Sequence, residues 1–477
     1  MLTDSQLAFA SIGEIGKLFR GRKLSPVELT GWLLTRIEKL NPQLNSFLTV
    51  TGELALKQAA KAEAELAKGK SRWPRRDRGP LHGIPISLKD NIYTAGIRTT
   101  AGSQILRDFV PVQDAPVVTA LYEAGAVLLG KTNMHEFAYG ATNNNPHFGH
   151  AHNPWDIARI SGGSSGGSAV ALAAGLGYGS IGTDTGGSIR IPSSLCGIVG
   201  LKTGLGAVST KNVIPLSPSL DVVGPMARTA TDAALLYDIV RTTCGSQSLL
   251  RASKSNSARA RRPRLGIPKE FFFDLLSPEV AAGYESAIRL LRKNGAHLKK
   301  VSLPLLNQTE EAGNQIAWAE ALHYHQQSGW FAARSAEYGE DVRSRLEMGT
   351  RVSAVMYLQA LEARERFIAQ FHALLSENSL DALVVPTTPI TAPLIDEESI
   401  SIGGTIQPTR ALLLRLNRPA NLAGIPSISV PCGFTNGNLP IGLQFIGALT
   451  SEPLLLALAR RFEELQSSTA RVPFSVA

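Results

Sequence analysis

At 477 residues, with 44% hydrophobic and 18% charged side chains, the chain has the balance of a globular protein, which excludes a disordered tract or a coiled coil. Its 44 glycines, set against an aromatic content of 6%, point to a backbone built on tight turns. Three scattered cysteines, Cys196, Cys244 and Cys432, exclude a disulfide framework and a cysteine-based zinc site.

The N-terminal stretch carries Asp4 and Glu14 and no long apolar run, so no signal peptide is expected and the cytoplasm is the default location. Ser25-Pro26-Val27-Glu28 predicts a helix start, with Ser as cap, Pro at the first helical position and Glu closing a capping box. Leu33, Leu34, Ile37 and Leu40 then recur at helical spacing, and Leu54 to Leu66 predicts a second helix. From Gly83 short apolar runs (84–88, 126–130) alternate with helical stretches such as Pro116 to Ala124. That alternation predicts an α/β fold, a mixed central β-sheet flanked by helices.

Ser161 to Thr183 is uncharged, but eight of its 23 residues are glycine, so it is no membrane span. Farther on, 264–268 and 382–386 read as strands, roughly 309–376 as helical, and 428–431 and 441–446 as neighbouring strands before a closing helix from Leu454 to Leu465. The net charge of +9 gathers largely in 68–78 and 251–264. The second has six basic residues in 14, with no acid and no aromatic, and reads as a solvated surface linker rather than a groove-reading helix. No internal repeat is visible, and residues 1–477 are expected to form one large domain with an insertion-like helical region.

Two Gly/Ser clusters carry the chemistry, 161–168 (SGGSSGGS) and 182–190 (GTDTGGSIR). A phosphate-binding P-loop requires Lys-Ser/Thr after its last glycine, and neither cluster has it. Gly162 to Gly166 also fits G-x-S-x-G, the nucleophile elbow, but that site needs a late histidine and none follows His372. The third reading joins the clusters to Lys89, at the end of the apolar run before Asp90-Asn91. A buried lysine has a lowered pKa and can serve as base for a serine nucleophile, directly or through a second hydroxyl. His147, His150 and His152 have neither helix-face nor zinc-pattern spacing and are read as a loop flanking the cleft, and Asp184 and Arg190 as a structural pair. No metal and no cofactor are expected.

Gly83 to Asp232 resembles the amidase signature family, the Ser-cisSer-Lys hydrolases. The matching stretches are GIPISLKDNI, KTNMHEFAYG, SGGSSGGSAVALAAG, GTDTGGSIRIPSSLCGIVGLK and GPMARTATDAALL, joined later by NRPANLAGIPSISVPCG and LPIGLQFIG. The resemblance implies Ser188 as nucleophile, Ser164 after a cis peptide bond as relay, and Lys89 as base. It implies an oxyanion hole from the backbone N–H groups of Thr185, Gly186, Gly187 and Ser188. It also implies substrate contacts from the segment beginning Tyr139-Gly140-Ala141-Thr142-Asn143.

The resulting expectation is a metal-free hydrolase of linear amides, accepting esters and carbamates as well. Its partner would be a small-molecule substrate, with no specific nucleic acid, no membrane and room for a homodimer. The alternative within the family is the glutaminase subunit of a tRNA-dependent amidotransferase. That subunit's pattern sets an acidic residue shortly before P-x-N-L-A-G, whereas Leu412 to Arg418 holds no carboxylate here and reads as an apolar wall. Lys202-Thr203-Gly204 also departs from the family's usual Pro and Tyr after Lys.

Overall fold

The computed structural model describes residues 3–68, 77–242, 254–466 and 472–473. Most of the first basic stretch, with part of the second, lies outside them. The capping box at Ser25 forms as the sequence predicts. Ser25 Oγ accepts from the Val27 and Glu28 N–H groups at 3.0 and 3.3 Å, and Glu28 accepts from Ser25 N–H at 3.0 Å. The helix runs Pro26–Leu44 and buries Leu29, Leu33 and Ile37. No helix of the described residues is long and apolar enough to cross a membrane.

Eleven strands form one sheet. In chain order they are β1 (Phe47–Val50), β2 (Pro85–Lys89), β3 (Val127–Thr132), β4 (Gly179–Asp184), β5 (Val199–Lys202) and β6 (Val222–Ala227). The remainder are β7 (Arg264–Pro268), β8 (His297–Val301), β9 (Ala382–Pro386), β10 (Ser427–Phe434) and β11 (Pro440–Ile446). Across the sheet the order is β1-β3-β2-β4-β6-β5-β10-β11-β9-β7-β8. β2 lies parallel to both β3 and β4, β7 parallel to β8 and β9, and the pairs in between are antiparallel, so the sheet is mixed. Ile428 pairs with Phe445, which makes the two late strands neighbours as predicted.

The strands on the two sides of the second basic stretch share this sheet, and the fold is a single domain of helices packed on a mixed sheet. The stretch is not simply a linker. Lys254–Arg261 is a helix, and Ala260 is buried in the main core cluster with Leu458 and Phe462 of the closing helix Glu452–Leu465. Sequence reading missed this helix because its lone apolar anchor gives no periodic signal. The helical region resolves into Thr309–Gln327, Trp330–Ala333, Glu340–Gly349 and Ala354–Glu377. Gly313 and Ala317 of this region line a pocket with Thr185, Gly186 and Ser188, just beyond the C-terminal end of β4, where ligands of parallel strands bind.

Candidate active site

β2 is buried at every position, and its last residue, Lys89, is fully enclosed. Its Nζ donates to Ser164 Oγ and to Thr183 Oγ1, each at 2.7 Å. Among the described residues three lysines are fully buried, and their partners set them apart. Lys202 donates to the carbonyls of Thr203 and Ile425, and Lys131 to the Ile92 carbonyl and Thr99 Oγ1. A carbonyl only accepts, so it holds those two amines as donors. Lys89 meets only hydroxyls, which both donate and accept, so of the three it alone has both partners able to hand a proton to its neutral amine. Burial pushes its pKa down to about 7 against the opposing charges of Asp184 and Asp221.

Ser164 sits in the turn leading into the helix Gly166–Ala173, and the Gly163–Ser164 peptide is cis. This helix start packs hard against the β3 end. A Cβ at Gly167 would lie 2.5 Å from both Asn133 N and Ser46 O, so only glycine fits. The second turn leaves β4 at Asp184 and enters the helix Arg190–Cys196. Asp184 organises it. Its carboxylate accepts from Gly187 N–H at 2.8 Å and Ile189 N–H at 3.1 Å, and takes two bonds from Arg190 at 3.1 Å. Burial alone would raise the Asp184 pKa, but Arg190, Lys202 and Asn421 outweigh it and hold the group below the usual carboxylate range. The expected structural pair is therefore a fully buried one.

Ser188 opens onto a pocket lined by Tyr139, Gly140, Thr185, Gly186, Arg410, Leu414 and Arg418. The structure thus brings Lys89, Ser164 and Ser188 to one end of the sheet, and it corrects two groups of expected site residues. The N–H of Gly187 is already bonded to Asp184, so it is not free for an oxyanion; those of Thr185, Gly186 and Ser188 have no protein acceptor among the described residues. Of the expected substrate segment, Tyr139 and Gly140 line the pocket, but Ala141, Thr142 and Asn143 do not. Instead Ala141 O accepts from Gly163 N–H at 2.7 Å and Asn143 Oδ1 from Gly166 N–H at 3.2 Å. Thr142 Oγ1 accepts from Asn144 N–H. Ala141 and Asn143 thus brace the turn that carries Ser164.

The histidines at 147–152 are used separately. His147 Nε2 meets Glu136 Oε1 at 2.9 Å, His152 Nδ1 meets Ile157 O at 2.7 Å, and among the described residues no His, Cys, Asp or Glu group is arranged to hold a metal. Sequence reasoning missed the arginines. Arg410, Leu414 and Arg418 recur four apart and all line the pocket, so the expected apolar wall has a cation on either side of Leu414. A third, Arg345 of the helical region, donates to Tyr139 O and Asp341 Oδ2. The spacing was the available signal, but only packing shows which side faces Ser188.

A family model, Amidase, matches residues 28–456. The chain belongs to the amidase family. Eight curated relatives, 35–40% identical over 94–98% of this chain and 96–99% of their own length, are each the A subunit of a glutamyl-tRNA(Gln) amidotransferase. The one from Aromatoleum aromaticum is 40% identical over 97% of this chain and 99% of its own. Among solved structures, the corresponding amidotransferase subunit from Thermotoga maritima is 34% identical with a TM-score of 0.78, covering 97% of this chain and 96% of that one. A protein from a vestigial complex bearing on the origins of an s-triazine catabolic enzyme is 32% identical with a TM-score of 0.88, covering 97% and 99%.

These relatives overturn the expectation of a free small-molecule amidase with no nucleic-acid partner. That expectation rested on the missing carboxylate and a supposedly apolar wall, and the wall carries two arginines. What stands is an amidase-family enzyme acting on carbon–nitrogen bonds.

Proposed function

We propose that this chain is the amide-hydrolysing subunit of a tRNA-dependent amidotransferase, working in the cytoplasm and releasing ammonia for use at a second site on glutamyl-tRNA. The observation that carries the reading is the buried Lys89–Ser164 contact of 2.7 Å beside Ser188, in a chain matched nearly end to end by its amidotransferase relatives. Neutral Lys89 accepts the Ser164 proton as Ser164 takes that of Ser188, and Ser188 Oγ attacks the carboxamide carbon. The oxyanion formed is met by the N–H groups of Gly186 and Ser188, with Thr185 beside them. Collapse breaks the C–N bond, and the leaving nitrogen takes back a proton through Ser164 and departs as ammonia. Water then attacks the acyl-enzyme by the same relay, giving a carboxylate and free Ser188.

The arginines fit a donor that carries a carboxylate, as glutamine does. The test combines the chain with the other amidotransferase subunits, glutamyl-tRNA(Gln) and an amide donor. Formation of glutaminyl-tRNA, abolished by Ser188→Ala, is the expected result. A chain that cleaves amides at full rate yet never supports tRNA amidation refutes the reading.

A further inference from the structure

Asp221 stands just before β6 and ties two segments together. Its Oδ1 accepts from Thr185 Oγ1 at 2.5 Å, in the turn that carries Ser188, and its Oδ2 accepts from the N–H groups of Leu216 and Ser217 at 2.9 and 3.1 Å. The loop that supplies Asp221 is held in turn by the helical region. Glu320 accepts from Ser217 Oγ at 2.7 Å, from Ser219 N–H at 3.1 Å and from the Tyr357 hydroxyl at 2.9 Å. The backbone N–H of Thr185 has no protein acceptor among the described residues, so anchoring its side chain also fixes where that donor points.

The same carboxylate bears on the base. Asp221 lines a cavity of about 200 Å³ together with Thr185, Asn91 and Thr183. Thr183 Oγ1 accepts from Lys89 Nζ at 2.7 Å and from Asn91 Nδ2 at 3.3 Å. Two carboxylates, Asp184 and Asp221, favour the charged form of Lys89 against the effect of burial. Asp90, its neighbour in the chain, is turned instead toward Lys131 at 3.7 Å. The charge of Asp184 is offset by Arg190, whereas Asp221 makes no ion pair among the described residues. Burial pushes the Asp221 pKa up to about 6 against its three hydrogen bonds, and the Glu320 charge adds to the rise, so the group is ionised where neutral Lys89 works.

We propose that Asp221 is a positioning residue for amide cleavage, fixing through Thr185 the turn that presents the oxyanion donors and setting an uncompensated negative charge near the Ser164–Lys89 relay. The assignment rests on the reading of that relay and adds a residue to it. Asp221→Asn separates the two effects. Its carboxamide can accept from Leu216 and Ser217 and donate to Thr185 Oγ1, so the clamp stays and the charge goes. Without the charge Lys89 is protonated less readily. The acid limb of the rate should move about one pH unit lower, and the plateau should fall because the base is weaker. Thr185→Val removes the clamp and keeps the charge. It should cut the rate roughly 10- to 100-fold, in kcat rather than KM, without moving the limb lower, and Thr185→Ser should restore most of it.

Fluorophosphonate labelling of Ser188 needs neither an amide nor other subunits, and its rate from pH 5.5 to 9.5 gives the limb directly. The titration of Lys89 itself, followed by NMR on lysine isotope-labelled at Cε and assigned by its loss in Lys89→Met, reads the same shift without any chemistry. A titration that moves lower in Asp221→Asn, with Thr185→Val slowed and Thr185→Ser restored, supports the proposal. It does so even where the chain never supports tRNA amidation, an outcome that refutes only the amidotransferase reading. An unmoved Lys89 titration in Asp221→Asn overturns the proposal whatever the loss of stability, and so does a Thr185→Val chain that works at the parent rate.

Discussion

Replacing Lys89 with Met should abolish amide cleavage and raise stability at the same time. The free amine has a pKa near 10.5, and burial brings it to about 7 in the folded chain. Between those values the unfolded chain binds the proton and the folded chain does not, so stability rises with pH from about 7 to about 10.5. Below pH 7 the folded state carries the full penalty. At about 1.4 kcal/mol per pKa unit, this corresponds to roughly 4–5 kcal/mol. Methionine removes that penalty but leaves the Ser164 and Thr183 hydroxyls short of one partner each, returning about 1 kcal/mol apiece. A net gain of about 2 kcal/mol is expected in denaturant unfolding at pH 7.

Activity should move the other way. In the parent chain the specificity constant for an amide should fall about tenfold per pH unit below 7 and level off above it, since only neutral Lys89 can take the proton. The assay is ammonia release from pH 5.5 to 9.5 for parent and variant, with urea unfolding on the same samples. A Lys89→Met chain that still cleaves amides refutes the relay. So does a parent profile whose acid limb lies near pH 10, because Lys89 would then be an ordinary solvated amine.

Ser188→Ala should eliminate both amide cleavage and labelling by a fluorophosphonate probe, while Ser164→Ala should keep weak activity because the oxyanion donors survive. The reverse pattern would make Ser164 the nucleophile. Asp184→Asn should destabilise the chain by about 3–5 kcal/mol in denaturant, since it leaves Arg190 charged and enclosed; a change under about 1 kcal/mol would show the pair to be dispensable. Prolonged chelation should leave ammonia release unchanged, and loss that zinc restores would send attention back to His147, His150 and His152.

Signals that act over a few residues were legible in the sequence. The Ser25 capping box, the strand at 382–386 and the closing helix follow from hydrogen bonds and periodicities spanning a turn or two, which tertiary packing had no reason to override. Lys89, Ser164 and Ser188 were legible for another reason: each lies in a glycine-rich or strand-end motif whose text is itself distinctive. The ordering of the sheet, with β10 and β11 set between β5 and β9, had no comparable local signal.

The pocket was decided only by the fold. Its walls come from Tyr139, Ser188, Gly313 and Arg410, residues as far apart as 271 positions in the chain, and no local pattern says which of them meet. The same holds for finer points. Gly187 looked like an oxyanion donor until Asp184 was seen to accept its N–H, and the wall at Leu412 to Arg418 looked apolar until Arg418, with Arg410 just before the run, was seen to line the pocket. Hydrogen-bond allegiance and the direction a side chain faces are set by which surfaces pack together. A base such as Lys89 acquires its working pKa only when that packing removes water from around it.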